Sequence, residues 1–127
     1  MAKKILNPKT APQPIGPYNQ CVIANGFIYT AGQIALDPTS GKLVGEDVSA
    51  QARQVLANLK NILEGAGSSL DKVVKTTVFL KNLGDFSAMN TVYGEFFSAD
   101  NAPARSTIEV ARLPKDAVVE IEAVATL

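Results

Sequence analysis

Residues 117–126 constrain this chain more than any other stretch, because two interleaved patterns run through one predicted strand. Val119, Ile121, Ala123 and Ala125 share one parity and make an apolar face suited to lie beneath helices. The other parity reads Val118, Glu120, Glu122 and Val124, too polar for a closed core and too apolar to leave in bulk water. Such a face calls for a cover, and in a small chain the simplest cover is another copy of itself.

The rest of the chain supplies the partners for that strand. Four of the seven prolines fall in the first seventeen residues, which read as an irregular lead-in pinned by the bulky groups of Ile15-Gly16-Pro17-Tyr18. Cys21-Val22-Ile23-Ala24, Asn25-Gly26 and Phe27-Ile28-Tyr29-Thr30 spell strand, two-residue turn and strand, with Asn-Gly the strongest short hairpin signal. Gly32 ends the second strand, and Asp37 to Gly41 reads as a loop. A helix is predicted over 47–64, capped by Asp47, with Val48, Ala52, Val55, Leu56, Leu59, Ile62 and Leu63 on one stripe and Gly65 and Gly67 as the stop. The β-branched run Val73–Leu80 predicts a strand. A second helix over about 85–98 places Phe86, Met89, Tyr93, Phe96 and Phe97 at helical spacing, which assigns them to the core. Strands at about 106–111 and 117–126 complete the order βββ-α-β-α-ββ. That order predicts an α+β domain spanning 1–127, with both helices on one face of a sheet.

Composition narrows the function. Apolar residues form 46 % of the 127, ample for a packed core. Twelve basic and twelve acidic side chains cancel, which leaves no electrostatic footprint for nucleic acid. No apolar run approaches the ~20 residues of a membrane helix. The lone Cys21 cannot form an intrachain disulfide, so the expectation is a soluble cytoplasmic protein. There is no histidine, and acid–base chemistry near neutral pH falls to a carboxylate, Cys21, a tyrosine or the backbone.

The polar groups of interest cluster near the end. Pro103-Ala104-Arg105-Ser106-Thr107-Ile108-Glu109-Val110 puts an always-charged, forked donor at the start of a strand, a group that suits a carboxylate ligand. Taken alone, Arg105 reads first as an ion-pair partner and Glu120 as an outward strand carboxylate. Glu120 and Glu122 stand about 7 Å apart along one strand face and raise each other's pKa where water is scarce. With no histidine or cysteine beside them they form no convincing metal set, and none is expected. Tyr18 reads equally as an anchor for the lead-in or as a cleft donor. Asn90 lies just off the aromatic stripe, facing either solvent or a cleft. Cys21 reads as a small buried apolar residue with nothing to activate it. Gly65-Ala66-Gly67-Ser68-Ser69 follows a helix rather than a strand, so it reads as helix termination and not as a phosphate loop. Spacing alone defines no reaction.

A resemblance goes further. Pro103 to Asp116 together with Val119-Glu120-Ile121, and also Ile15-Gly16-Pro17-Tyr18, Ala31-Gly32-Gln33-Ile34 and Val74-Lys75-Thr76-Thr77-Val78-Phe79, resemble motifs of the RidA (YjgF-type) reactive-intermediate deaminases. The likeness covers essentially the whole chain. It implies a fold similar to trimeric chorismate mutase, a mixed sheet backed by two helices, and a homotrimer with ligand clefts between subunits. It also implies hydrolysis of the enamines 2-aminoacrylate and 2-aminocrotonate to pyruvate or 2-oxobutyrate and ammonia, without a cofactor. By position, Arg105 holds the substrate carboxylate and Glu120 positions or activates the attacking water. Tyr18, Ala31, Gly32, Asn90 and Thr107 line the cleft. Family members often carry serine where this chain has Ala31 and cysteine where it has Thr107, so a hydroxyl and a thiol are missing from those places. Because their strands succeed one another in the chain, Arg105 and Glu120 are expected to belong to one subunit's share of the site, with part of the opposite wall from a neighbour.

Two other functions compete. A non-catalytic 2-oxo-acid sensor acting through a partner would use the same Arg105. A ribonuclease or translation inhibitor, attached to relatives, fits poorly with zero net charge and no histidine.

Overall fold

Every strand but one runs against its neighbour in the computed structural model, which describes residues 2–127. The elements are β1 (Lys4–Leu6), β2 (Cys21–Ala24), β3 (Phe27–Thr30), α1 (Val48–Gly65), β4 (Val73–Leu80), α2 (Phe86–Phe96), β5 (Ala104–Glu109) and β6 (Val119–Thr126). The six-stranded sheet has the order β1-β2-β3-β6-β4-β5, and β4–β5 is its one parallel pair of neighbours among the described residues. Since β3 and β4 both run antiparallel to β6, they are parallel to each other. Helix α1 is therefore the crossover from β3 to β4, and α2 the crossover from β4 to β5. Both helices pack on the same face, as the α+β order predicts.

Local chemistry accounts for most of these elements. Asn25 (φ 51°) and Gly26 (φ 79°) form the two-residue turn between β2 and β3, and the hairpin pairs Ala24 with Phe27 and Cys21 with Thr30. Asp47 caps α1, its carboxylate accepting from Ala50 N at 2.8 Å. All seven residues of the predicted α1 stripe are buried, joined by Gln51 and Asn58. Those two amides tie the preceding loop to the helix. Asn58 Nδ2 donates to Leu36 O at 2.9 Å, while Gln51 donates to Gly45 O at 3.0 Å and accepts from Val118 N at 2.9 Å.

Three expectations need correction. The lead-in is not wholly irregular, for Lys4–Leu6 pairs antiparallel with β2 before the first proline. Strand β5 begins two residues earlier than expected, so Arg105 lies inside it. The aromatic stripe of α2 is not all core: Met89, Val92 and Tyr93 are buried and Phe97 packs behind them, but Phe86 is 37 % exposed and Phe96 is half-buried. Phe86 instead carries a cation on its face, as described below.

The two sides of the sheet differ as β6 predicts. Val119, Ile121, Ala123 and Ala125 are buried beneath the helices, while Glu120, Glu122, Val124 and Thr126 alternate with them on the open face. Glu120 pairs with Phe79, Glu122 with Thr77 and Val124 with both Lys75 and Tyr29. Tyr29, Phe27, Ile108 and Ile5 stay exposed on that face, Tyr29 at 48 %. An exposed apolar surface of this kind is the usual mark of an association surface. On the covered face, Thr76 is fully buried and its hydroxyl meets the Tyr93 hydroxyl at 2.7 Å. Replacing Tyr93 by Phe strands that hydroxyl, and the expected cost is about 1–3 kcal/mol of stability in urea or thermal unfolding with the fold retained.

Candidate active site

Glu120 opens into a cleft of about 220 Å³ walled by the lead-in, the turn after β3 and the loop before β6. Tyr18, Gln20, Gly32, Ile34 and Lys115 line it with Glu120. The approach to the carboxylate depends on Gly32. Gln33 N donates to Ile121 O at 2.8 Å and Ile121 N to Gln33 O at 3.1 Å, whereas β3 itself pairs Tyr29 with Val124. One extra residue is accommodated between these pairs, a bulge that brings Gly32 over the strand. A Cβ on Gly32 would stand 2.9 Å from Glu120 Cδ and would overlap the carboxylate oxygen. Only glycine leaves room for that carboxylate. Burial raises the Glu120 pKa above the ordinary glutamate value, and the neighbouring Glu122 charge adds to the rise.

Arg105 lies elsewhere. It pairs with Thr76 on β4 and so shares the helix-covered face, whereas Glu120 points from the open face. Strand β4 separates their strands in the sheet. The guanidinium carbon lies 4.6 Å from the Tyr93 ring centroid and 5.4 Å from that of Phe86, and Nη1 donates to Asn90 Oδ1 at 2.7 Å. Phe86, Asn90 and Tyr93 recur at i, i+4 and i+7, one face of α2 built to carry a cation. Nε and Nη2 bond to no group among the described residues. With Asn90, Tyr93, Phe97 and Pro103, Arg105 lines a second, shallower cleft of about 430 Å³.

The expectation of one subunit's Arg105 and Glu120 meeting side by side therefore fails within a single chain. Strands successive in sequence are not neighbours here, and side-chain parity sends the two groups to opposite faces. Tyr18 and Gly32 join Glu120, and Asn90 joins Arg105. Ala31, half-buried, donates from N to Gln20 O at 2.8 Å beside Gly32. Thr107 is half-buried with the parity of Arg105 and pairs with Val78. Neither Ala31 nor Thr107 lines the two clefts. Sequence reasoning missed Gln20 and Lys115 as cleft residues and Phe86 as a cation platform. The spacing of Phe86, Asn90 and Tyr93 was a signal for the last.

Comparison with known proteins decides the family. The profile of the family described as Endoribonuclease L-PSP matches residues 8–127. The chain belongs to that family, which includes the RidA (YjgF-type) proteins. It is 56 % identical to the RutC family protein slr0709 of Synechocystis, covering 100 % of this chain and 98 % of that one. It is 53 % identical to the 2-iminobutanoate/2-iminopropanoate deaminase of Salmonella typhimurium, covering 96 % of each. The crystal structure of the Rid-family protein YyfA from Yersinia pestis superposes with a TM-score of 0.96 at 46 % identity, covering 99 % of this chain and 100 % of that one.

The position of Glu120 has a thermodynamic consequence. A carboxylate whose folded pKa is raised binds more protons folded than unfolded, so its ionisation destabilises the fold as pH climbs from the ordinary carboxylate range through the raised value. Glu120→Gln is expected to raise the Tm at pH 7. That gain should shrink as pH falls towards the unfolded-state pKa of about 4.3. Thermal unfolding of both proteins between pH 4 and 8 checks the sign.

Proposed function

We propose that this Rid-family chain hydrolyses reactive 2-imino acids, the tautomers of 2-aminoacrylate and 2-aminocrotonate, to 2-oxo acids and ammonia in the cytoplasm. The observation that carries the reading is the half-buried Glu120 carboxylate, uncovered by Gly32 inside a cleft and in no salt bridge among the described residues. A deaminase 53 % identical to this chain supports it. Hydrolysis adds water to the electrophilic imine carbon and expels ammonia from the resulting carbinolamine. Glu120 accepts the proton of the attacking water and returns it to the departing nitrogen, a task for which a carboxylate with a raised pKa is suited. The forked Arg105, steadied by Asn90 and the Phe86 and Tyr93 rings, holds the substrate carboxylate through its free donors. Tyr18, Ala31, Gly32 and Thr107 shape the surroundings. The zero net charge and the absence of histidine lend no support to the ribonuclease of the family's description.

In this proposal the Glu120 cleft of one copy faces the Arg105 cleft of the next, within a homotrimer in which the edge strand β5 of each copy, carrying Arg105, meets the apolar open face of its neighbour. Each alone is half a site. A closed ring supplies three such junctions, and every Arg105 then serves a neighbour's Glu120.

Arg105→Ala and Glu120→Gln are each expected to lower the acceleration of keto-acid release, in a coupled dehydratase assay, by about a hundredfold or more. Mixing the two inactive variants and letting subunits exchange tests the arrangement. A junction contributed by an Arg105-bearing chain and a Glu120-bearing chain is intact, so an equal mixture should recover about a quarter of wild-type activity. No recovery after demonstrated exchange would place both residues in one subunit's share of the site.

A further inference from the structure

Gln20 is 1 % exposed, and its side-chain carbonyl is the buried polar side-chain atom left without a partner among the described residues. The orientation of its amide is not open to choice. Nε2 faces Pro12 O at 2.5 Å and Ala11 O at 3.2 Å, and both of those carbonyls can only accept. Oε1 is therefore the orphan. A buried acceptor without a donor is destabilising, and native structures rarely leave one so. Gln20 also lines the cleft that holds Glu120, and its backbone carbonyl takes the amide of Ala31, next to the Gly32 that uncovers the carboxylate.

We infer that Gln20 is a specificity-determining residue of the Glu120 cleft, its Oε1 accepting a hydrogen bond from a donor nitrogen at C2 of the bound acid. The inference rests on the proposed deaminase reading and deepens it. The imino acid and its carbinolamine carry N–H groups, whereas the 2-oxo acid product carries only acceptors at that carbon. Product thus leaves Oε1 unpaired again, and the site discriminates against it at the atom where the chemistry has occurred. The donor reaches Oε1 when the tip of the lead-in lifts. Gly16 adopts φ 109° and Ile15 is 82 % exposed, and the tip is closed on itself by Tyr18 N donating to Gly16 O at 2.9 Å and Ile15 N donating to Tyr18 Oη at 3.4 Å, neither of which ties it to the sheet. The base of the lead-in is held more firmly, by Gln20 itself and by Asn61 Nδ2 donating to Thr10 O at 2.9 Å.

The test compares 2-aminobutyrate, which has a donor nitrogen at C2, with 2-oxobutyrate, which has none, by calorimetric titration of the assembled protein. The preference for the amino acid should fall roughly tenfold in Gln20→Met. Asn61→Ala loosens the lead-in without touching Oε1, so it should weaken both ligands and leave their ratio unchanged. An unchanged ratio in Gln20→Met, or an equal change in Asn61→Ala, overturns the inference. A measurement on wild-type protein is independent of whether Gln20→Met folds: the Gln20 Cδ resonance should shift on adding 2-aminobutyrate and stay in place with 2-oxobutyrate, and equal responses overturn the assignment. Accelerated keto-acid release by the wild type, with either negative result, removes Gln20 alone. Failure of both release and binding in the wild type removes the deaminase reading with it.

Discussion

Strand β6 is hydrogen-bonded on both sides, to β3 and to β4, and its strict alternation sets what each face of the sheet can be. Four small or branched apolar residues point under the helices, and the intervening positions have nowhere to go but the open face. A shift of one residue in register would bury Glu120 and Glu122 in the core and expose Ile121. The position of β6 also dictates the connections. With β6 inserted antiparallel between β3 and β4, those two strands must run parallel, and a parallel pair needs a crossover long enough to hold a helix. The chain uses α1 for that step and α2 for the next, which puts both helices on one face and leaves the other bare.

The elements legible in the sequence are those specified by neighbours along the chain. The Asn25-Gly26 turn, the α1 stripe with its Asp47 cap and the β-branched run of β4 each carry a local signal that tertiary context reinforces. Strand β1 was hidden because a three-residue edge strand has no periodicity to read and stands just ahead of a proline-rich segment. The residues of the candidate site were legible as types, an arginine and a glutamate inside strands. Their arrangement was not. Adjacency in a sheet is a long-range property, and β4 lies between β5 and β6 although the chain visits it before either. Phe86 was misread for a related reason: helical spacing marks a stripe, but a stripe near an end of a helix can turn outward and face a cation instead of the core.

The buried amides of α1 connect the scaffold to the cleft. Gln51 and Asn58 sit on the core-facing side of the helix, where an apolar residue would satisfy packing alone. They instead accept from Val118, two residues before Glu120, and donate to Leu36, which lines the cleft with Ile34. Each leaves few unsatisfied groups, so burial costs little while the geometry of two cleft walls is fixed to a rigid element. Position on α1 thereby becomes position at the carboxylate.

The charges of the two clefts argue for their union. Within one chain Glu120 has burial and a second carboxylate to contend with and no salt-bridge partner among the described residues, and these conditions hold its proton to higher pH. Covering the open face by association would deepen burial and push the pKa further up. An Arg105 arriving from a neighbour acts in the opposite sense, favouring the ionised form that accepts a proton from water. Its own charge is stabilised meanwhile by the Phe86 and Tyr93 rings and by the Asn90 carbonyl, none of which neutralises it. A guanidinium held by aromatic faces and an amide keeps its full charge for a ligand carboxylate, where an ion pair with a protein carboxylate would spend it. The proposed assembly thus sets the two functional groups in one wet cleft without pairing them directly. The substrate's carboxylate takes the arginine, and the glutamate stays free to move a proton.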